Sequence, residues 1–171
     1  MKNRILIFSL FLSICAYSQD TAIRFEGIIK VDGFSKKTLY KNSLQANNII
    51  FNNDSCRMQF KNEFDGKIVL KCNFKYATND SNESKILNGI IDYDLTVISM
   101  KGSYQYILTN FIHDASDPNG RNMGLIKSQN RIIDGVLIGL WSRRQSEMRL
   151  AVENAAIEIL ATLDSLMKIS H

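Results

Sequence analysis

The fold of this chain is decided by residues 54–77, which read DSCRMQFKNEFDGKIVLKCNFKYA. Asp65-Gly66 is a strong turn signal, and apolar residues alternate with polar ones on both sides of it. We therefore predict a hairpin of two strands, Asp54–Asn62 and Gly66–Ala77. One face of this hairpin is apolar (Cys56, Met58, Phe60, Ile68, Leu70, Cys72, Phe74, Tyr76), and the other is polar and basic (Arg57, Gln59, Lys61, Lys67, Lys71, Lys75).

The two cysteines of this hairpin are equally distant from Phe64, so a turn centred there places Cys56 directly opposite Cys72. At a non-hydrogen-bonded position the two Cα atoms would be about 4.5 Å apart, which a disulfide tolerates. Two interpretations remain open: a disulfide, or two buried thiols packed beside Met58 and Leu70.

A second hairpin is predicted from Leu87 to His113, with its turn at Lys101-Gly102. Its strands, Leu87–Met100 and Ser103–His113, pair on a core face as Val97 with Tyr106, Leu95 with Leu108 and Tyr93 with Asn110. The opposite face would then carry Asp92, Asp94, Thr96, Ile98, Gln105, Ile107, Thr109 and Phe111.

One more strand and two helices flank these hairpins. Alternation predicts a strand over Ile23–Val31, and Ser35 is a good N-cap for a helix over Lys36–Ile50. Apolar residues three and four apart predict a helix over Gln145–Ile169 (Met148, Val152, Ala155, Ile159, Leu163, Leu166). The order strand, helix, four strands, helix predicts an α+β fold, in which two helices cover one face of an antiparallel sheet of about five strands and the other face stays open.

Residues 114–142 do not fit this pattern. Asp114–Asn130 is rich in Asp, Asn, Gly and Ser and contains Pro118, which predicts a long surface excursion. Ile132–Trp141 is apolar but too short to span a bilayer, so it is either a buried connector or a patch that faces a partner.

The N-terminus has the three parts of a secretory signal peptide. Lys2 and Arg4 are positive, Ile5–Ala16 is apolar, and Ala16-Tyr17-Ser18 favours cleavage before Gln19. We expect a removed leader, residues 1–18, and one exported domain, residues 19–171, that is periplasmic or secreted. Lipid anchoring at Cys15 is the less favoured alternative, because the preceding Ile14 is not a small residue.

The charge of the chain argues against nucleic acid as a partner. Its 21 Lys and Arg and 17 Asp and Glu give +4, and removal of Lys2 and Arg4 leaves +2 on the mature chain. Outside the leader no apolar run reaches the roughly 18 residues of a membrane span, so we expect no transmembrane segment in the mature chain.

Several segments together resemble a known family. They are the strand Ile23–Val31, the stretch VDGFSKKTLY at residues 31–40, DGKI at residues 65–68 and YQYILTNF at residues 104–111. The chain is similar over Ile23–Phe111 to the domain of unknown function 4468, a family of exported proteins from Bacteroidota. This resemblance implies a fold like that of the TATA-box-binding protein (TBP). It implies no activity, because none is assigned to the family.

No catalytic, metal or cofactor site is predicted. A nucleophilic triad would need His113, which we interpret as a solvated residue at a strand end. Asp92 and Asp94 point to one sheet face, where cross-strand pairing with Lys71 and Lys75 explains them better than acid–base or calcium chemistry. Asp114, Asp117, Asn119 and Gly120 resemble a calcium loop that lacks its closing acidic residue.

The open sheet face is the place for a binding hypothesis. Basic and apolar side chains are expected together on it: Arg57, Lys61, Lys67, Lys71, Lys75, Ile98, Ile107 and Phe111. Such a face suits an envelope protein, a lipid or an anionic glycan, although surface lysines also serve solubility alone. The chain is thus predicted to be a non-catalytic binding module of the envelope; the alternative is an envelope enzyme with an unrecognised active site.

Overall fold

The computed structural model describes residues 22–50, 55–78, 87–118, 120–127 and 137–169. Its elements are β1 (Phe25–Lys30), α1 (Lys36–Ile50), β2 (Cys56–Asn62), β3 (Lys67–Tyr76), β4 (Gly89–Met100), β5 (Ser103–Ala115), β6 (Gly124–Leu125) and α2 (Leu137–Met167). The predicted leader, Cys15 and the first half of Ile132–Trp141 lie outside the described residues. None of the helices in the described residues combines the length and the apolar character needed to cross a membrane.

The strands form one antiparallel sheet in the order β1-β5-β4-β3-β2, with β6 beside β5. Both predicted hairpins are present, and Gly66 and Gly102 take the positive φ angles of 70° and 71° that their turns need. At Gly66 a Cβ atom would also lie 2.5 Å from the carbonyl oxygen of Ser99, so no other residue fits there. The α+β fold with an antiparallel sheet is therefore confirmed, with β6 as a sixth, short strand.

Both helices pack on the same face of the sheet, over a core that contains Leu39, Leu70, Leu95, Tyr104, Met148 and Leu163. The N-cap prediction is confirmed, because the Oγ atom of Ser35 accepts a hydrogen bond of 3.1 Å from the backbone N–H of Thr38. Asn42, a buried residue that periodicity did not identify, donates to the carbonyl oxygens of Met167 and Ile169 and so ties α1 to the end of α2.

The last helix is longer than predicted. It begins at Leu137, not at Gln145, so the second half of the apolar stretch Ile132–Trp141 is helical. Its buried stripe also differs: Ala156 and Met167 are buried, whereas Ala155, Ile159 and Leu166 are only partly buried. The difference arises because an α-helix repeats every 3.6 residues. Over a helix of this length, the buried face moves away from positions chosen at spacings of three and four residues.

The prediction of a surface excursion after Asp114 is wrong for part of that segment. Residues 120–127 return along β5, where β6 pairs with Ile112 and His113. The chain then forms a bridge from Lys127 to Ala22, and this return buries Met123 and Ile126. A strand of two residues between polar residues is too short to show an alternation in the sequence.

Two β-bulges interrupt the sheet. In β2, Met58 pairs with Leu70 but Phe60 pairs with Val69, so Gln59 is an extra residue. In β5, Thr109 pairs with Asp94 but Ile112 pairs with Asp92, so two residues oppose Tyr93. Each bulge shifts the register by one residue and therefore exchanges the faces of every side chain beyond it.

Candidate functional site

The face of the sheet opposite the helices is the candidate site, and we call it the open face. Register assigns to it the outward residues of five neighbouring strands, and no described element packs on it. In the order of the strands, one row across it is Glu26, Ile107, Thr96, Val69 and Phe60; the next row is Ile28, Gln105, Ile98, Lys67 and Asn62. Basic and apolar residues thus share this surface.

Two members of the predicted binding face do not belong to it. Phe111 is completely buried, because the bulge at Asn110 turns it to the core, where it stacks on Tyr93 with ring centroids 5.6 Å apart. Lys61 lies opposite Ile68 on the helix side, because the bulge at Gln59 reverses the alternation of β2. For the same reason Phe60 moves from its predicted core position to the open face, where it is exposed.

The remaining six predicted residues lie on the open face. Arg57 and Lys71 are directly opposite each other, Lys67 is opposite Ile98, and Lys75 is opposite Ile90. Ile107 lies one strand away from Thr96, in the first of the rows given above. Sequence reasoning placed these six side chains on the correct face because they precede or lie outside the bulges.

Apolar residues on the open face form two patches. The broad patch consists of Ile28, Phe60, Val69, Ile98 and Ile107. The small patch consists of Ile90, Ile112 and Leu125, which are all exposed and lie at the β6 end of the sheet. Only Ile98 and Ile107 of these eight residues were predicted as site residues. For Ile28, its outward position in the alternation of β1 was the available signal.

A polar belt of Thr109, Asn110, Asp94, Lys71 and Arg57 crosses the sheet between these patches. Asn110 takes a positive φ of 58°, a conformation that asparagine tolerates better than most residues. Its Nδ2 atom donates a hydrogen bond of 2.7 Å to the Oδ2 atom of Asp94. The predicted position of Lys71 opposite Asp94 is confirmed, but Asp92 lies opposite Asn73 and Lys75 lies opposite Ile90.

A cavity of about 430 Å³ lies in the open face beside this belt. Its lining comprises Ser55, Cys56, Arg57, Gln59, Lys71, Cys72, Asn73 and Asp92. The charged side chains in this lining are two cations and one carboxylate. Sequence reasoning had named Arg57 and Lys71 but not the neutral polar residues, which give no periodic signal of their own.

Cys56 and Cys72 form a disulfide at the edge of this cavity, with Cα atoms 4.0 Å apart. The carbonyl oxygen of Ser55 accepts a hydrogen bond of 2.8 Å from the backbone N–H of Asn73, which makes Ser55 and Asn73 a hydrogen-bonded pair. The adjacent cysteines therefore occupy the non-hydrogen-bonded position, where paired Cα atoms come closest.

His113 is not a solvated residue, and this prediction is wrong. Its side chain is 1% exposed, because residues 120–127 cover it. Nδ1 accepts a hydrogen bond of 3.2 Å from the backbone N–H of Met123, so Nε2 carries the proton and donates to the carbonyl oxygen of Leu87 at 2.8 Å. Burial lowers the pKa of His113. Both ring nitrogens bind backbone atoms, so the imidazole has a structural role in this arrangement.

Metal ligands do not converge in the described part of the chain, where no three His, Cys, Asp or Glu side chains form a cluster that could hold an ion. In the segment that resembles a calcium loop, Asn119 lies outside the described residues. The backbone N–H of Gly120 donates to the carbonyl oxygen of Asp117 at 2.7 Å, and Asn122 accepts a hydrogen bond from the backbone N–H of Ala115.

Two solved structures have the same architecture. A TBP-like protein from Parabacteroides distasonis superposes with a TM-score of 0.58 at 14% identity, covering 84% of this chain and 93% of that one. A DUF4468 family protein from Bacteroides ovatus gives a TM-score of 0.57 at 13% identity, covering 83% of this chain and 86% of that one. At these identities the likeness shows the fold alone.

Comparison with protein families gives a more specific result. No curated protein matches the sequence significantly. A family model described as a domain of unknown function with a TBP-like fold, DUF4468, matches residues 25–114, which is more than half of the chain and includes β1 to β4 and all of β5 but its last residue. The chain therefore belongs to the DUF4468 family of domains with a TBP-like fold.

Proposed function

We propose that this chain is exported and acts in the cell envelope as a non-catalytic binding module that holds its partner on the open face. The observation that supports this proposal is the exposure of large apolar side chains there: Ile28 is 63% exposed, Ile90 40% and Ile112 42%. Single exposed apolar residues are ordinary, but contiguous ones mark interaction surfaces. The small patch is contiguous, because Ile112 is paired with Leu125 and lies diagonally to Ile90.

The arrangement of charge and apolar area indicates the kind of partner. Lys67, Lys71, Lys75 and Arg57 are interleaved with both patches. Charge of one sign steers a partner and sets the rate of association, whereas buried apolar contacts determine how slowly it leaves. The matching partner has anionic groups next to apolar surface, as an envelope protein, a lipid or an anionic glycan with apolar substituents has.

The open face favours binding over catalysis for a chemical reason. The two cysteines that line the cavity, Cys56 and Cys72, are joined in a disulfide, and the charged residues of the lining are Arg57, Lys71 and Asp92. A nucleophile needs an adjacent general base, and the buried His113 directs both of its nitrogens to backbone atoms. The proposal therefore assigns recognition, and not bond cleavage, to this surface.

Nucleic acid is not the partner we propose, although the fold is named after a DNA-binding protein. A fold does not transfer its function, and the open face also contains Glu26, Asp92 and Asp94. Binding to phosphate backbones needs a continuous basic surface. These carboxylates interrupt it.

The experiment immobilises the exported chain and three matched variants, and compares the material that each retains from a native envelope extract. The charge variant is Lys67→Glu with Lys71→Glu and Lys75→Glu, and the apolar variant is Ile28→Thr with Ile90→Thr and Ile112→Thr. Threonine is β-branched, so the strand preference is retained. The control, Leu150→Gln with Ile157→Gln, removes equally exposed apolar residues from the outer face of α2.

We expect wild-type protein and the control to retain the same envelope material. The charge variant should bind it more slowly and with weaker salt dependence, and the apolar variant should release it faster. Circular dichroism and melting temperature verify that each variant is folded. Identical capture by all four proteins would refute the proposal, and so would loss of capture in the α2 control alone.

A further inference from the structure

We infer that the cavity beside the Cys56–Cys72 disulfide is a binding site for a hydroxylated anion, such as a uronic acid unit of a glycan, whose oxyanion lies between Arg57 and Lys71. The inference rests on the proposed function, because it names the ligand chemistry of one part of the open face. The volume of about 430 Å³ falls within the range of small-molecule sites, roughly 300–1,000 Å³.

The main argument comes from a pair of like charges. Arg57 and Lys71 are cross-strand neighbours, and like charges directly opposite each other destabilise a sheet. Neither side chain forms an ion pair with a described residue. Two neighbouring cations that form no ion pair are explained if an anion binds between the two groups.

The nearest carboxylates, Asp92 and Asp94, form no ion pair with these two cations in the described residues. Asp94 is opposite Lys71 on the other side, but its Oδ2 atom accepts the hydrogen bond from Asn110. Asp92 is one pair further along β4, opposite Asn73. The bulge at Asn110 therefore draws Asp94 toward β5, while the two cations face the cavity on the β2 side.

The remaining lining residues indicate the rest of the ligand. Asp92 repels a second anionic group but accepts hydrogen bonds from hydroxyl groups, and Ser55, Gln59 and Asn73 can both donate and accept. A ligand with an oxyanion at one end and hydroxyl groups at the other satisfies all of these side chains. Sugar acids have this combination.

The disulfide prepares the site for binding. Cys56 immediately precedes Arg57, and Cys72 immediately follows Lys71, so the bridge fixes the backbone on both sides of the cationic pair. β2 is an edge strand that pairs with β3 alone, so the bridge adds a covalent link to its hydrogen bonds. A fixed pair of cations loses less entropy on binding than two mobile ones, which favours affinity.

The test is a titration of the ¹⁵N-labelled, oxidised chain with three probes: glucuronate, inorganic phosphate and glucose. The buffer contains no phosphate or sulfate and little salt. Glucuronate supplies an oxyanion with hydroxyl groups, phosphate supplies an oxyanion alone, and glucose supplies hydroxyl groups alone. Backbone amide shifts of residues 55–59 and 71–73 report on the cavity.

We expect saturable shifts at these amides with glucuronate, weaker saturable shifts with phosphate and none with glucose. Arg57→Gln and Lys71→Gln should each weaken glucuronate binding about tenfold, because each removes a charge-assisted hydrogen bond. Lys61→Gln is the matched control, since Lys61 lies in the same strand as Arg57 but on the helix side, opposite Ile68 and outside the cavity lining; its affinity should equal that of wild type.

The absence of saturable shifts with glucuronate, or unchanged affinity in both glutamine variants, would overturn the inference. Phosphate binding as tight as glucuronate binding would overturn the assignment of hydroxyl groups to Asp92 and Asn73. The two proposals can fail independently. If the titration is negative but capture of envelope material depends on the open face, only the anion site is refuted. If the titration is positive but capture is independent of the open face, only the proposed function is refuted.

Discussion

His113 is expected to make the stability of this protein depend on pH between about 5 and 7. In the folded chain its Nδ1 atom accepts a hydrogen bond from Met123, so a proton added there would replace an acceptor by a donor facing an N–H group. Burial lowers the pKa of His113 more strongly than the hydrogen bond to Leu87 and the Asp114 carboxylate raise it. The unfolded chain therefore binds this proton at a higher pH than the folded chain does.

The sign and the size of this effect follow from linkage. A histidine has a pKa of about 6.5 when unfolded, so the contribution of neutral His113 is complete above that pH and is lost as the pH falls below it. The free energy of unfolding therefore falls between pH 7.5 and pH 5.5, by at most about 1.4 kcal/mol, which is the limit for an imidazole that stays neutral in the folded chain. For a chain of 171 residues this corresponds to about 3–6 °C in melting temperature.

The assay is thermal and urea unfolding of wild type and His113→Gln at several pH values in this window. Glutamine stays neutral and can still donate to the carbonyl oxygen of Leu87, so the variant should be less stable at pH 7.5 but show a flatter pH dependence. His171→Gln, at the other histidine of the chain, is the matched control and should keep the wild-type slope. The same slope in wild type and His113→Gln would refute the reasoning, whatever the absolute loss of stability.

Three further predictions concern the disulfide, the bulge in β5 and the leader. Exported protein that is denatured without reductant should contain no free thiol, and reduction of Cys56–Cys72, which are 16 residues apart, should lower the free energy of unfolding by about 3 kcal/mol; two free thiols would contradict the bridge. Asn110→Ala should be less stable than Asn110→Gly by about 1 kcal/mol in urea unfolding, because only glycine adopts the positive φ without strain; the reverse order would contradict the assigned bulge. The intact mass of exported protein should begin at Gln19, and a product that retains Met1 or has an acylated Cys15 would contradict cleavage.

Sequence periodicity was sufficient to predict the secondary structure wherever the strand alternation or the helical spacing continues without interruption. It located α1 with both of its ends, both hairpins with their turns, and the opposition of Cys56 and Cys72. It failed where an interaction between distant segments determines the outcome. His113 is buried by a return of the chain that has no periodic signal, and Asn42 is buried because it caps the end of a helix 125 residues later in the sequence.

The two bulges explain why the candidate site in particular was only partly predictable. A one-residue insertion leaves every local pattern intact but reverses the face of the residues beyond it, as Phe60, Lys61 and Phe111 show. Asn110 was the available signal, because an asparagine inside an apolar strand is costly unless it adopts a positive φ there.

These bulges also shape the chemistry of the open face. The bulge in β5 buries Phe111 and places Asn110 where it binds Asp94, so the carboxylate that is opposite Lys71 is already engaged. The bulge in β2 occurs two residues after Arg57 and brings Phe60 onto the same surface. Bulges are common beside functional sites, where they redirect side chains. The bulge in β5 therefore gives Asp94 a hydrogen-bond partner in Asn110, while Arg57 and Lys71, on which the proposed anion site depends, form no ion pair with a described residue.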